Sequence, residues 1–511
     1  MKLLTALIAA STWPKNARFL EATRYPEAAS SAQWSSVIRP LLGASPFWIG
    51  RFPNGIPAAL ESFEITTYED YRTAIEETFS SGSNVSPLSN EKILFWAKST
   101  GTSAKAKLFP LTASFQKQFQ VTTPPFVHSL TKRFDGFMAK PVCYFASTLP
   151  SEKSPGGVDI GAMSGFNYQN IRGFLKNFYA LPLGVFKDSE TFFQWAPLYA
   201  LATDLSSLFA VTPSMILQFA ERLEKQIEDY WPYLEGKKAP PAPLPPLRID
   251  PARLEHLKSA LAQRPLSFRT IWPSMQFISC WKGSTCGMQL PKLEPYLHGV
   301  TIVDAPYSAT EGWMNVPTST EVIGGPVHPD GHVMEFIAAG AAIEKENLLP
   351  AWKLEPGVDY EVFLTTAMGF VRYRLFDIVR CTGYTNRSPH LEFRQKSGSM
   401  ISLGHTRVSE ADLLEALADA ELGGTKRWFF GPSADGTHLV FYCDSTNTHV
   451  DEAIAAADKA LAKLNTEYAD DLKTGLLKPI ATLVLEGSHA AWAERELQAQ
   501  SKPTILRQQA P

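Results

Sequence analysis

The strongest constraint on the fold is an alternation of helical and strand patterns from about Lys396 to the end of the chain. Ser409-Glu410-Ala411-Asp412 has the form of a capping box, which opens a helix. The segments that follow have the patterns of a strand, a helix, a strand and a helix in turn: 438–443, 450–472, 480–485 and 489–500. Because such elements pack on one shared sheet, the pattern predicts a small, separate α/β domain of roughly 110 residues. We place it at 396–511 and assign 1–395 to a large N-terminal domain.

The N-terminal part mixes both kinds of pattern. Segments 68–79 and 213–231 have apolar residues at helical spacing. Segment 299–305 is a β-branched strand, and 370–380 alternates apolar and basic residues as a half-exposed strand does. The proline-rich segment 239–246 fits a domain linker or a stiff surface loop. We prefer the loop, because the motifs on either side of it belong together.

Composition excludes several classes of function. A length of 511 residues predicts two or three domains. The 48 basic and 51 acidic residues give a net charge of −3, which argues against nucleic acid or an anionic membrane as the main partner. No stretch approaches the ~18–20 apolar residues of a membrane span. The five scattered cysteines form no CxxC pair, so we expect reduced thiols in a cytoplasmic protein, which we take to be a monomer.

The first residues admit two interpretations. Residues 1–11 combine one lysine, a short apolar run and small side chains, as a signal peptide does. We instead expect an amphipathic first helix that ends before Pro14, because the cysteine usage gives no sign of export.

A candidate phosphate loop follows an apolar run near residue 95. It reads Ser99-Thr100-Gly101-Thr102-Ser103 and is followed by Lys105 and Lys107. Backbone N–H groups of a glycine turn, hydroxyl groups and lysine ammonium groups all suit a polyphosphate. The segment lacks the Walker spacing, and taken alone it is more often an ordinary turn.

Two further motifs stand downstream in a fixed order. The first, Tyr307-Ser308-Ala309-Thr310-Glu311-Gly312, follows the predicted strand 299–305. The second is Val371-Arg372-Tyr373-Arg374-Leu375-Phe376-Asp377-Ile378. Taken singly, Tyr307 would be a core residue, Glu311 part of a capped turn, and Asp377 the partner of Arg374 or Arg380 in an ion pair at a strand end.

The ordered set resembles the superfamily of adenylate-forming enzymes, and within it the auxin-responsive acyl-acid amido synthetases of plants and their bacterial relatives. That family has a Ser-Ser/Thr-Gly-Thr-Ser loop running to Lys-Leu-x-Pro, a Tyr-x-Ser-Ser-Glu segment and a Tyr-Arg-Tyr-Arg-Val-Gly-Asp-Val segment. Its Pro-Gly-Gly and Thr-Gly-Phe elements resemble Pro155-Gly156-Gly157 and Thr382-Gly383-Tyr384. The resemblance implies a large N-terminal α/β domain with β-sheet subdomains and a small mobile C-terminal α/β domain.

The resemblance also implies a role for each motif. Tyr307 would offer a flat face to the adenine of ATP, Asp377 would accept hydrogen bonds from the ribose hydroxyls, and Glu311 would bind a Mg²⁺ ion. Thr310 would also belong to the nucleotide-binding residues. The β- and γ-phosphates would be held by Ser99, Thr100, Gly101, Thr102, Ser103 and Lys107. A lysine near the C-terminus, for which Lys502 is the best counterpart, would contact the carboxylate and phosphate, with a pivot near Gln395 or Lys396. Catalysis would then depend most directly on Thr102 and Lys502.

Three departures from the family pattern stand out. The loop is one residue shorter between Ser103 and Lys107, with Ala104 in place of the usual Gly. Phe376 replaces the usual Gly before Asp377, and the C-terminal arginine is missing. We expect an ATP-dependent ligase that activates a small carboxylic acid as an acyl-adenylate and transfers the acyl group to an amine, with an amino acid as the expected acceptor. The alternatives are a ligase with coenzyme A or a carrier protein as acceptor, and a catalytically weakened nucleotide-binding protein.

Overall fold

The structure is a computed structural model of the chain. It describes residues 2–98, 107–145, 152–171, 176–186, 189–398, 400–403, 406–418, 420, 422, 425, 427–433, 435–445, 448–485 and 505–507. The predicted phosphate loop (99–103), the predicted helix 489–500 and Lys502 lie outside these residues.

Helices fill most of the first 80 residues and alternate with strands after that. They are α1 (Lys2–Arg24), α2 (Pro26–Gln33), α3 (Arg39–Ala44), α4 (Pro46–Arg51), α5 (Glu69–Ser80), α6 (Ala113–Phe119), α7 (Thr123–Arg133), α8 (Met163–Gln169), α9 (Ser189–Leu201), α10 (Pro213–Leu234), α11 (Pro251–Ala260), α12 (Phe268–Ile271), α13 (Leu290–Leu297), α14 (Glu410–Ala416), α15 (Thr448–Leu464) and α16 (Thr466–Thr474). No helix in the described part of the chain is long and apolar enough to cross a membrane.

The strands are mostly short, with two long ones near residue 380. They are β1 (Ile93–Lys98), β2 (Leu108–Thr112), β3 (Val142–Tyr144), β4 (Glu152–Lys153), β5 (Asp159–Gly161), β6 (Ser207–Phe209), β7 (Phe277–Cys280), β8 (Thr301–Asp304), β9 (Ser308–Ala309), β10 (Gly312–Trp313), β11 (Gly325–Pro326), β12 (Val333–Ala338), β13 (Leu349–Pro350), β14 (Asp359–Thr365), β15 (Tyr373–Thr385), β16 (Ser388–Lys396), β17 (Met400–Leu403), β18 (Thr406–Ser409), β19 (Trp428–Pro432), β20 (Leu439–Cys443) and β21 (Ala481–Val484).

Two sheets position the candidate site. One is parallel, in the order β3-β6-β7-β8, and every residue of β7 is buried, as expected when both faces are covered. The other is antiparallel, in the order β11-β16-β15-β14-β12-β13. A mixed sheet has the order β2-β1-β5-β4, and its strands β1 and β2 are the elements that precede and follow the predicted phosphate loop in the sequence.

The apolar residues form separate cores. The antiparallel sheet packs with the N-terminal helices around side chains such as Trp34, Tyr71 and Phe336. The parallel sheet packs with α9 and α10, and Leu244 of the proline-rich segment joins the same cluster, which supports the loop interpretation. The C-terminal elements share a third cluster that includes Phe441 and Ile454. The predicted α/β class is confirmed.

The prediction that the first helix ends before Pro14 is wrong, because α1 continues through Pro14 to Arg24. An internal proline costs about 3 kcal/mol through a lost hydrogen bond and a clash. Tertiary contacts offset this cost. The Thr5 hydroxyl donates to the Phe137 carbonyl at 2.7 Å, and the Thr12 hydroxyl lies 3.1 Å from Nδ1 of His128 on α7.

Two other predictions need correction. The helix expected at 450–472 is two helices, because Asn465 caps α16 by accepting a hydrogen bond from the Tyr468 N–H at 3.0 Å. The half-exposed strand expected at 370–380 begins at Tyr373 and is mostly buried. Its basic residues Arg374 and Arg380 are 25% and 33% exposed, and each pairs with an acidic residue of β14. The capping box at Ser409 is confirmed.

Candidate active site

A buried hydrogen-bond network joins two of the predicted motifs. Tyr307 follows β8, and its hydroxyl donates to Oδ2 of Asp377 on β15 at 2.7 Å. The ammonium group of Lys396, at the end of β16, pairs with the other oxygen of Asp377. Asp377 is fully buried. The ion pair with Arg374 or Arg380 considered for Asp377 is not formed, because these arginines bind Glu361 and Asp359.

The charges around Asp377 reinforce one another. Burial and the neighbouring carboxylate of Asp377 raise the pKa of Tyr307 well above its usual value, so Tyr307 remains a proton donor. Desolvation lowers the pKa of Lys396, but the carboxylates of Asp377 and Glu311 raise it by more. Lys396 therefore stays cationic and faces both carboxylates.

A second network surrounds Glu311, which lies between β9 and β10. The hydroxyl of Tyr373, the first residue of β15, donates to Oε1 of Glu311 at 3.1 Å. Burial, followed by the charge of Glu311, raises the pKa of Tyr373 well above its usual value. Thr310 occupies the turn beside Glu311 and is half-buried. Of the residues described, no group of three or more His, Cys, Asp or Glu side chains could hold a metal ion.

Lys107 completes this side of the site. Its Nζ lies 5.3 Å from the ring centroid of Tyr68, within range of a cation–π interaction. The Tyr68 hydroxyl bonds both the N–H and the carbonyl of Leu108 at 2.9 Å, which fixes the start of β2 next to Lys107. Burial lowers the pKa of Lys107, while the charge of Glu311 acts in the opposite direction.

An apolar pocket opens beside Tyr307. Its empty volume is about 450 Å³, part of it open to solvent. It is lined by Tyr307, Phe393, Gly283, Asp304 and eight further residues: Trp281, Ser284, Cys286, Ala305, Asn315, Ile323, Gly324 and Leu391. Tyr307 and Phe393 have ring centroids 5.7 Å apart. An apolar cavity that is lined in part by aromatic side chains and has few polar groups suits an aromatic ring system such as a nucleobase.

Asp304 forms hydrogen bonds with two segments that line this pocket. Its carboxylate accepts hydrogen bonds from the Lys282 N–H at 2.9 Å and from the Gly324 N–H at 2.6 Å. Burial raises the pKa of Asp304 to about 6, against the lowering effect of these bonds. Asp304 thereby connects the ends of β7 and β8 to the segment before β11.

The structure brings four of the predicted residues into one region: Lys107, Tyr307, Glu311 and Asp377, with Thr310 adjacent. The predicted residues Ser99, Thr100, Gly101, Thr102, Ser103 and Lys502 lie outside the described ranges. The sequence interpretation missed the contacts of Tyr68, Tyr373 and Lys396. Tyr373 stands inside a motif that was already singled out, and Lys396 was considered only as a pivot. Tyr68 carries no sequence signal of its own.

Two family models match the chain. The GH3 family N-terminal domain matches residues 61–302, and the GH3 family central domain matches residues 325–396. Together they cover more than half of the 511 residues.

The curated relatives have low sequence identity to this chain, and their names agree with the GH3 family models. The chain is 24% identical over 411 residues to indole-3-acetic acid-amido synthetase GH3.15 of Arabidopsis thaliana, covering 70% of this chain and 66% of that protein. It is 26% identical over 154 residues to probable indole-3-acetic acid-amido synthetase GH3.9 of Oryza sativa subsp. japonica, covering 29% of this chain and 35% of that protein. The chain thus matches about a third of the length of the rice relatives.

Solved structures share the fold over nearly the whole chain. A structure of GH3.15 acyl acid amido synthetase has a TM-score of 0.79 at 18% identity and covers 97% of this chain and 94% of that chain. A complex of AtGH3.15 acyl acid amido synthetase with 2,4-DB has a TM-score of 0.76, also at 18% identity. The match covers 98% of this chain and 95% of that chain. The resemblance inferred from the motifs is confirmed, and the chain belongs to the GH3 family.

Proposed function

We propose that this chain is an ATP-dependent acyl-acid amido synthetase. The observation that carries the proposal is the Tyr307–Asp377 hydrogen bond of 2.7 Å, with Lys396 on the same carboxylate. It joins two motifs 70 residues apart and lies beside the pair of Tyr373 and Glu311. Membership of the GH3 family agrees with this activity.

ATP would lie across the two networks. Its adenine ring would enter the pocket beside Tyr307 and Phe393, where an aromatic face is available. The ribose hydroxyls would donate to Asp377, whose carboxylate can accept more than the two bonds described. The phosphates would then extend toward Lys107 and Glu311, and Lys396 would offset the negative charge where ribose and phosphate meet.

The residues near Glu311 fit a magnesium ion. Mg²⁺ is usually bound by one or two carboxylates together with substrate phosphates and water. Glu311 supplies one buried carboxylate, oriented by Tyr373, next to the position proposed for the phosphates. When bound, the ion would neutralise phosphate charge. Glu311 would be its protein ligand.

The reaction would have two steps. In the first, a carboxylate oxygen of the acid attacks the α-phosphorus of ATP, the bond to the β-phosphate oxygen breaks, and pyrophosphate leaves with the electron pair. In the second, an amine nitrogen attacks the acyl carbon, AMP leaves with the electron pair of the acyl–oxygen bond, and the nitrogen loses a proton to water. A small carboxylic acid and an amino acid are the proposed substrates. Thr102 and Lys502 would act in the first step, the former on pyrophosphate and the latter on the reacting carboxylate and phosphate.

The same proposal divides the chain at 395/396. The antiparallel sheet ends with Lys396, and the elements after it pack on an apolar cluster of their own. Rotation of 396–511 about Gln395 and Lys396 would expose the acyl-adenylate to the amine. The five cysteines are buried free thiols. They fit a cytoplasmic protein, and we propose that it acts as a monomer.

Exchange of labelled pyrophosphate into ATP tests the first step. We expect exchange that depends on one or more acids of a panel, and AMP release that requires an amino acid. Glu311→Gln should lower exchange, whereas the exposed Glu346→Gln serves as a matched control and should not. Release of AMP with coenzyme A in place of an amine would favour a thioester ligase. Absence of exchange with every acid would favour a weakened nucleotide-binding protein.

A further inference from the structure

Phe376, the residue before Asp377, has a backbone conformation that is rare for a large side chain. Its φ angle is 57°, in the left-handed region. Side chains with a Cβ clash with the backbone there, so a bulky residue in this region is a strained outlier that surrounding structure must hold. Strain of this kind is often found at functional sites.

The strain belongs to a bulge in the antiparallel sheet. Arg374 of β15 faces Phe363 of β14, but Ile378 faces Glu361. Three residues of β15 therefore face the single residue Val362, and Phe376 is the middle one. Extra residues in one strand bend it and redirect the side chains that follow. Here the side chain that follows is Asp377, which reaches the hydroxyl of Tyr307.

The Phe376 ring is braced from one side. The guanidinium carbon of Arg374 lies 4.5 Å from the ring centroid, a cation–π distance. Arg374 is itself held by Glu361, whose two oxygens accept hydrogen bonds at 2.6 and 3.1 Å. Because this support requires a ring, a glycine would adopt the same φ angle but could not be held in this way.

The bulge also contacts the segment proposed as the pivot. The carbonyl of Phe376 accepts a hydrogen bond from the Ser397 N–H at 2.8 Å. Lys396, the neighbour of Ser397, pairs with Asp377. One strained turn thus holds both a proposed ribose ligand and the start of the C-terminal residues.

We propose that Phe376 is a positioning residue: its ring, braced by Arg374, selects the bulge that directs Asp377 to the nucleotide and fixes the backbone of Ser397. This rests on the proposed function only in naming ATP as the ligand. Three features act together at Phe376. The left-handed turn precedes Asp377, the ring contacts Arg374, and the carbonyl binds the Ser397 N–H.

Three variants separate the ring from the backbone angle. Phe376→Gly permits the φ angle without the ring, Phe376→Leu keeps the strain without an aromatic face, and Phe376→Tyr keeps both. Phe376→Leu loses the cation–π contact and keeps the strain, so its KM for ATP is expected to rise about fivefold. Phe376→Gly loses the contact but also relieves the left-handed strain, so its KM should rise less. Phe376→Tyr should stay within about twofold of the wild type. The kcat should change less than KM, because Phe376 touches no reacting atom.

Hydrogen–deuterium exchange of the full chain without nucleotide supplies a readout independent of catalysis. The Ser397 amide should exchange faster in Phe376→Gly and Phe376→Leu than in the wild type and in Phe376→Tyr. Unchanged Ser397 protection and unchanged KM in both variants would overturn the inference. If the wild-type chain shows no acid-dependent pyrophosphate exchange, the proposed function is overturned. The Ser397 measurement would still decide the role of Phe376 in that case.

Discussion

Removing one oxygen atom from Tyr307 tests the proposed binding of the nucleoside at this site. Tyr307→Phe keeps the ring that lies 5.7 Å from Phe393 and removes the hydroxyl that donates to Asp377 at 2.7 Å. Both groups are buried, and a hydrogen bond to a charged group contributes about 1.5–3 kcal/mol. If this bond orients Asp377 for the ribose, the KM for ATP should rise about tenfold to a hundredfold, with a smaller change in kcat.

The assay is a double-mutant cycle read by pyrophosphate exchange and by calorimetric titration with ATP. Tyr307→Phe, Asp377→Asn and the double variant are compared with the exposed control Tyr25→Phe. We expect a double variant little worse than Asp377→Asn alone, because the two side chains act through one bond. Fully additive effects, or a wild-type KM in Tyr307→Phe, would refute the reasoning.

Other predictions concern charge. Glu335→Ala leaves the buried Arg372 without the carboxylate that binds it at 3.0 and 2.7 Å, so the free energy of unfolding should fall by about 3–5 kcal/mol in denaturant titrations, and the double variant with Arg372→Leu should recover part of it. Lys107→Met should lower the exchange rate about a hundredfold, since it removes the cation proposed to face the phosphates, whereas exchange within twofold of the wild type would contradict that role. Burial raises the pKa of Asp304 from 3.8 to about 6. The folded chain then holds this proton more tightly than the unfolded chain, so the free energy of unfolding of the wild type relative to Asp304→Asn should fall by about 2 kcal/mol as the pH rises from 4 to 6. Denaturant titrations at several pH values measure this difference, and a pH-independent difference would contradict it.

The sequence was informative where chemistry requires particular residues in a fixed order. Tyr307, Glu311 and Asp377 were identified from motifs, and the structure places them in two adjacent networks. The helix opening at Ser409 was predictable for a similar reason, because a capping box is a local pattern.

What the sequence did not reveal depends on contacts between distant segments. Lys396 reaches Asp377 only because β15 and β16 pair in the register that places these two residues opposite each other. Tyr68 supports Lys107 through a backbone contact 40 residues away. Pro14 lies inside a helix because tertiary contacts outweigh a local rule. None of these contacts produces a periodic or compositional pattern in the sequence.

The bulge at 375–377 also sets the size of the site. Tyr373 bonds Glu311, and Asp377 bonds Tyr307, so one strand serves both networks. Four residue steps of an unbroken strand span roughly 13 Å. From Arg374 to Ile378, however, β15 advances by only two residues of β14, roughly 7 Å. The shortened path draws the Tyr373–Glu311 contact and the Asp377–Tyr307 contact together. A change within 374–378 should therefore move both contacts at once.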